Sequence, residues 1–388
     1  MTGEVQNLTD GRTDRPTRQS GVELLKICAI FLIVVNHVTQ TLGTANPSID
    51  YSDYILLLGN ASADVQTVIL NLLRQAGGLG NTIFFACSAW FLVGKTANVR
   101  KKAFYLLSTV WVISVIYLLV YLAFYPSCLT WRIILKELLP TCFANNWYTT
   151  CYIIFLFIYP WINRLILSLD QKQHLRMVLF SSLLWIITNY FIADMFFPST
   201  LLVWIAEYLL IAYLRMYCKH LTQNRAFGFV LLAIGILGYV LQVIATNYAG
   251  LYIHYFSEKV LRWNTNSCPF YIMIAVGALI IAGQSRLQAR LINYVSGLSL
   301  LIYLIHENLL FRTFTRPAMW QYLYANYGYS HVVLLDLVFS LALFLASVVI
   351  SAVYKATIQK LVVKISDALY RQISKGYAAL ERKILKIH

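Results

Sequence analysis

The sequence predicts an all-α fold: a polytopic bundle of transmembrane helices with about ten spans and both termini on the cytoplasmic side. Three observations predict it. Of 388 residues, 59% are hydrophobic and 12% are charged, with a mean hydropathy of +0.65; soluble domains carry about 25% charged residues. Apolar runs of roughly 20 residues, the length that crosses a bilayer, recur along nearly the whole chain. Basic residues gather in alternate connecting segments, which is the positive-inside pattern. The net charge of +15 therefore marks cytoplasmic loops and not a nucleic-acid partner. The seven cysteines form no CxxC pair and no Cys/His cluster, so no metal site is predicted. Most of them lie in apolar runs as small hydrophobes; a disulfide between Cys128 and Cys142 is allowed and not demanded.

Residues 1–20 are polar and rich in Arg, Thr and Asp, which reads as a disordered cytoplasmic tail. Residues 21–354 form the membrane domain. Its spans fall at 21–42, 78–94, 104–125, 147–162, 175–193, 201–216, 227–245, 269–282, 292–311 and 332–354. Residues 43–45 imitate a signal-peptide cleavage site, but Lys26 and His37 inside the first run, and the many spans after it, argue against one. With the N-terminus inside, the inner segments hold Arg100, Lys101 and Lys102 and most of the other basic residues. The outer loops after the first hold few: Arg132 and Lys136, Lys259 and Arg262, Arg312 and Arg316. Residues 46–75 read as a polar outer loop ending in a short amphipathic stretch. In 355–388, Ile358, Leu361, Ile365, Leu369, Ile373, Tyr377, Leu380 and Ile384 recur at helical spacing among Lys and Arg. That is a basic amphipathic helix suited to an anionic inner leaflet.

The first span organises the rest, because it keeps polar groups that lipid would not tolerate: Glu23, Lys26, Asn36 and His37. Lys26 and His37 are eleven residues apart, about three turns plus roughly 20°, so they share a face about 16 Å apart along the axis. His37 lies roughly 24 Å into a core of about 30 Å, nearer the outer end. Histidine exchanges a proton near neutral pH and suits a general base toward a hydroxyl; the bland alternative is a structural interhelical histidine. Asn36 could orient that ring, bind substrate or act only as interhelical glue. Lys26 could hold a phosphate or simply snorkel to inner headgroups. His306 and Glu307 sit together in the ninth span, at about 21 Å depth, close to the level of His37. Two such histidines suggest one shared site, with an interhelical His–Glu pair as the alternative. Glu207 is a further intramembrane carboxyl, either neutral or paired with a histidine. Trp147 and Tyr148 open the fourth span as interfacial aromatics. Small residues around Ser88 favour close helix packing, and Cys87 and Ser88 lack an adjacent base.

These stretches together resemble the bacterial acyltransferase-3 family of membrane O-acyltransferases. The matching segments are Gly21-Val-Glu-Leu-Leu-Lys26-Ile with Asn36-His37, Phe84-Phe85-Ala-Cys-Ser88, Trp147-Tyr148, Ser267-Cys-Pro269 and Tyr303-Leu-Ile-His306-Glu307-Asn308. Each is weak alone; their order and spacing make the likeness specific. The chain departs from the family at three points. Lys26 stands where the family has Arg, Ala89 stands where it has Gly, and the basic cluster Arg100-Lys101-Lys102 is mostly Lys. The resemblance implies transfer of an acyl group, usually acetyl, from cytoplasmic acyl-coenzyme A to a hydroxyl of an extracytoplasmic or lipid-linked glycan at the plasma membrane. It implies His37, His306 and Glu307 as catalytic residues and Lys26, Arg100, Lys101 and Lys102 at the coenzyme A phosphates. Glu23, Asn36, Ser88, Trp147, Tyr148, Tyr303 and Asn308 would face substrate. His37 would either activate the acceptor hydroxyl or carry the acyl group itself. Two other readings compete: a transporter or flippase using the same charges as a relay, and a membrane sensor with reduced activity, which Lys26 keeps in play.

Overall fold

The computed structural model describes residues 19–46, 49–51, 54–95, 99–191, 200–263 and 265–385. Most of the tail expected in 1–20 therefore lies outside the described residues, as do the end of the fifth expected span and residues 386–388. The described residues form α-helices α1 to α16 with a few tight turns and no strand. They run α1 Ser20–Thr41, α2 Val65–Leu92, α3 Val99–Phe124, α4 Trp131–Leu138, α5 Trp147–Ser168, α6 Gln171–Ser181, α7 Thr188–Phe191 and α8 Thr200–Tyr217. The second half comprises α9 Lys219–Thr222, α10 Arg225–Tyr252, α11 Pro269–Gly283, α12 Arg290–Ser296, α13 Ser299–His306, α14 Arg316–Tyr327, α15 Val332–Thr357 and α16 Gln359–Leu385.

Among the described residues, six segments are long and apolar enough to cross a membrane: α1, α3, α5, α8, α10 and Tyr329–Thr357, which contains α15. The apolar α11 is shorter. Three expected spans differ for physical reasons. The second begins at Val65 instead of residue 78. The Asp64 carboxylate caps the helix by accepting from the Thr67 N–H at 2.8 Å, and the polar residues Asn71 and Gln75 turn inward and are fully buried. The Tyr329 hydroxyl also donates to Asp64 and holds its carboxyl below the ordinary range. The fifth starts at Gln171 behind an Asp170/Gln173 capping box and passes through a π-helical turn, Ser182–Ile187. The ninth is not one helix: it breaks at Gly297 and again at Glu307. Two helices, α4 and α14, form where hydropathy alone leaves outer loops. Cys128 and Cys142 are free thiols.

Helix α1 occupies the centre, packed against α2, α11, α12, α13, α14 and α15. Its approach to α2 depends on two glycines. A Cβ at Gly80 would sit 2.6 Å from the Ala29 carbonyl oxygen, and one at Gly77 would sit 2.4 Å from Asn36 Cγ. Close backbone approach of this kind is how small residues join membrane helices, where no hydrophobic force separates helix from lipid. Because Asn36 abuts Gly77 and neighbours His37, Gly77→Ala is expected to displace Asn36. The expected cost is about 1–3 kcal/mol, read as a lower unfolding temperature in detergent. Helix α16 lies along the N-terminal part of α3: Lys101 pairs with Asp367 at 3.1 Å and Gln359 donates to the Tyr105 hydroxyl at 3.0 Å.

Candidate active site

The second break in the ninth segment builds the site. Helix α13 ends at His306, and Glu307 leaves the helix at φ −114, ψ 16. The Asn308 side-chain oxygen then accepts from the Leu310 N–H at 2.9 Å and turns the chain back. Non-helical backbone at membrane depth needs partners for its exposed carbonyls. Tyr117 donates its hydroxyl to the Ile305 carbonyl at 2.8 Å, Tyr121 donates to Leu310 at 3.1 Å, and Arg316 donates to His306 at 3.1 Å. The break thus keeps these three carbonyls bonded and sets His306, Glu307, Arg312 and Arg316 around the C-terminal end of α1.

There His37 meets them. His306 is fully buried, and Glu307 and His37 are nearly so. The His306 Nδ1 lies 2.6 Å from the Ile302 carbonyl, which can only accept, so this nitrogen carries the proton and Nε2 of the neutral ring is an acceptor. The Nδ1–H of His37 then donates toward His306 Nε2 at 3.0 Å and Glu307 Oε2 at 3.1 Å. Glu307 also accepts from Arg312 at 2.9 Å on Oε1 and from Arg316 at 3.0 Å on Oε2. Arg316, itself buried, donates through Nε to the Thr41 hydroxyl at 2.8 Å, and Thr41 donates to the His37 carbonyl at 2.9 Å. The Trp320 indole N–H donates to the Val38 carbonyl at 3.1 Å. Both hydrogen bonds of the His37 ring fall on Nδ1. No group among the described residues hydrogen-bonds Nε2, the nitrogen left to act as a base.

The donor atoms of His37, His306 and Glu307 lie within 4.8 Å of one another, a spacing a metal ion could share. The same atoms already satisfy each other and Arg316. The arrangement is that of an oriented histidine backed by a carboxylate, which stabilises the imidazolium formed when Nε2 takes a proton.

Three cavities adjoin this cluster: one of about 250 Å³ lined by Glu307, Arg312 and Arg316, and two along α1, named outer and inner after its C-terminal and N-terminal ends. The outer one, of about 370 Å³, is lined by His37, Asn36, Gln40, Arg74, Asn81 and Trp147 among others. Its amides and indole face suit a polyhydroxylated ligand. The inner one, of about 240 Å³, is lined by Lys26, Ser88, Lys102, Tyr148 and Tyr303. An aromatic wall stands beside the inner cavity: the rings of Tyr148 and Tyr303 are 6.0 Å apart, Tyr148 lies 4.9 Å from Trp204, and Tyr303 lies 6.4 Å from the His37 ring.

The expected residues thus divide. His37, His306 and Glu307 come together. Lys26 and Lys102 share the inner cavity with Ser88, Tyr148 and Tyr303, while Asn36 and Trp147 face the outer one. Lys26 is 3.3 Å from Glu23, which also accepts from the Ser296 hydroxyl, and its ammonium lies over the Phe91 ring. Asn36 donates to the Arg74 carbonyl. Arg100 and Lys101 turn elsewhere: Arg100 stacks on Tyr377 at 4.9 Å and Lys101 pairs with Asp367, both on α16. Asn308 donates to the buried Glu137 of α4 at 3.2 Å, anchoring the break to that helix. Glu207 is buried and hydrogen-bonds neither histidine.

Three residues of the site and one buried acid beside α1 escape a reading by sequence. Arg312 and Arg316 look like ordinary outer-loop charges; the signal that could have found them is Glu307, a buried carboxylate that needs a cation. Arg74 lies in the stretch taken as loop. Asp336, buried in α15 and accepting from Thr39 at 2.9 Å, is a lone acid in an apolar run.

No curated protein and no solved structure matches the chain. A family model described as an acyltransferase domain matches residues 19–355. That range holds α1 through nearly all of α15, with all three cavities and the His37–His306–Glu307 cluster, and the chain belongs to the acyltransferase-3 family of membrane acyltransferases.

Proposed function

We propose that the protein moves an acyl group, usually acetyl in the family, from cytoplasmic acyl-coenzyme A to a hydroxyl of an extracytoplasmic or lipid-linked glycan. One observation carries this reading: His37 is held through Nδ1, with Nε2 unbonded, where an amide-lined outer cavity meets the cluster and a lysine-lined inner cavity lies behind it. Coenzyme A phosphates sit at Lys26 and Lys102, and the pantetheine arm follows the face of α1 up the roughly 16 Å toward His37. The acceptor enters beside Asn36 and Trp147. His37 Nε2 takes the hydroxyl proton as oxygen bonds to the thioester carbon; the C–S bond breaks, and the proton passes to the departing thiolate. In the alternative route His37 first takes the acyl group on Nε2 and then yields it to the acceptor.

The same reading sets the protein in the plasma membrane. The six long helices are joined by the shorter and broken ones to give about ten crossings, with residues 21–354 as the catalytic domain. The basic bias of alternate segments puts both termini in the cytoplasm. Helix α16 then lies on the inner leaflet. One side is packed on α3, and Leu369, Ile373 and Leu380 are exposed among lysines and arginines to meet anionic lipid.

Mass spectrometry of the host's surface glycan tests the proposal. Base-labile acyl mass is expected in wild type and absent from a deletion strain; identical glycans in the two would exclude this acceptor class. For the donor end, Lys26→Ala is expected to weaken acetyl-coenzyme A binding about tenfold or more, and Lys26→Arg to retain or tighten it, since the guanidinium forks a phosphate that an ammonium meets at a point. Calorimetry on the detergent-purified protein reads both.

A further inference from the structure

The inner cavity contains hydroxyls of two kinds. Ser88 donates to the Phe84 carbonyl at 3.0 Å and Ser299 to the Ser296 carbonyl at 2.8 Å, so both are committed to their own helices. The side chains of Tyr148, Thr149 and Tyr303 line the same cavity, are 7%, 2% and 5% exposed, and their hydroxyl oxygens are buried with no acceptor for their protons. A buried hydroxyl whose proton has no acceptor is costly, and three on side chains around one cavity mark a place meant for a polar atom. They come from different elements. Tyr148 and Thr149 lie in the first turn of α5, whose N-terminus has no side-chain cap and so presents the positive end of a helix dipole. Tyr303 is one turn before His306 and Glu307 on α13. Its ring lies 6.0 Å from that of Tyr148 and 6.4 Å from that of His37.

We infer that Tyr148 and Tyr303, with Thr149 beside them, hold the carbonyl oxygen of the acyl thioester and form the oxyanion site of the transfer. This rests on the proposed function, and it assigns a step that His37 cannot perform. When the acceptor oxygen bonds to the carbonyl carbon, the C=O electron pair moves onto oxygen while the hydroxyl proton goes to His37 Nε2. The tyrosine hydroxyls donate to that oxyanion in a dry, aromatic-walled space, where preorganised donors act most strongly. Collapse re-forms C=O and expels coenzyme A thiolate, which takes the proton from His37. The acceptor ester and free coenzyme A result. Burial of the hydroxyls excludes water that would otherwise hydrolyse the thioester.

The test compares wild type with Tyr148→Phe, Tyr303→Phe and the double variant, using carbonyl-labelled acetyl-coenzyme A and S-ethyl-coenzyme A, which lacks the carbonyl. Infrared difference spectra of the bound thioester are expected to show the carbonyl stretch moved to lower frequency in wild type and returned toward its free value in the double variant. S-ethyl-coenzyme A binding should stay within about twofold across the set, because these donors act on the carbonyl alone. Transfer to the host glycan should fall about 10²–10³-fold per tyrosine. An unshifted carbonyl in wild type, or full transfer by the double variant, overturns the inference and leaves the proposed function standing. A double variant that also loses S-ethyl-coenzyme A gives the hydroxyls a structural role and overturns it too. Failure of wild type to bind either thio compound overturns the proposed function and this inference together.

Discussion

Replacing His37 with Gln is expected to abolish transfer while the protein still accumulates as a monodisperse species in detergent. A general base contributes about 10²–10⁴-fold, and a histidine that also relays the proton to the leaving thiolate contributes at both stages. Gln is the informative choice because its amide can still donate toward Glu307 and His306, so the buried carboxylate keeps a partner. The readout is ester content of the surface glycan, normalised to protein amount. Ester at the wild-type level would remove His37 from the chemistry and move the role to His306. His37→Ala should be equally inactive and less stable, because it strips one N–H from Glu307.

The second large effect is expected at the ion cluster behind His37. Arg316→Gln leaves a buried carboxylate with one arginine fewer, and breaking a buried pair from one side costs about 3–5 kcal/mol. It also frees the Thr41 hydroxyl and the His306 carbonyl that Arg316 holds. Arg312→Gln should cost far less, because its side chain is 30% exposed against 4% for Arg316 and solvent can serve Glu307 there. Glu307→Gln removes the charge that stabilises an imidazolium and favours the wrong donor pattern at Nδ1; transfer is expected to fall about 10²–10⁴-fold, as when the orienting carboxylate of a triad becomes an amide. Thermal unfolding in detergent and glycan ester content together read the series. Equal losses for Arg312→Gln and Arg316→Gln would contradict the buried-cluster account, as would wild-type transfer by Glu307→Gln.

Composition and periodicity carry the fold class far, because a bilayer imposes strong rules: long apolar runs become helices and basic residues sort by side. Helices α1, α3, α5, α8, α10 and α15 are legible on that ground. The rule fails where helices are buried in protein instead of lipid. Helix α2 turns Asn71, Gln75 and Asn81 into the bundle, so its first half reads as a loop. The ninth segment reads as one span because its residues are apolar, yet Asn308 and the donors from Tyr117, Tyr121 and Arg316 make a break cheaper than a continuous helix.

The site divides along the same line. That His37, His306 and Glu307 share one site is suggested by sequence, because ionisable groups at one depth in a membrane gather in the bundle interior, while an interhelical His–Glu pair stays open at that stage. The sequence also determined that Lys26 shares a helix face with His37, since helical geometry is local. Only the tertiary structure decided which cations serve Glu307, that Arg100 and Lys101 face α16 while Lys102 reaches the cavity, and which nitrogen of His37 is free. It alone placed three side chains of α5 and α13 around one cavity with no acceptor for their hydroxyl protons. Those facts depend on side chains far apart in the chain meeting across helix interfaces, and no local periodicity encodes that meeting.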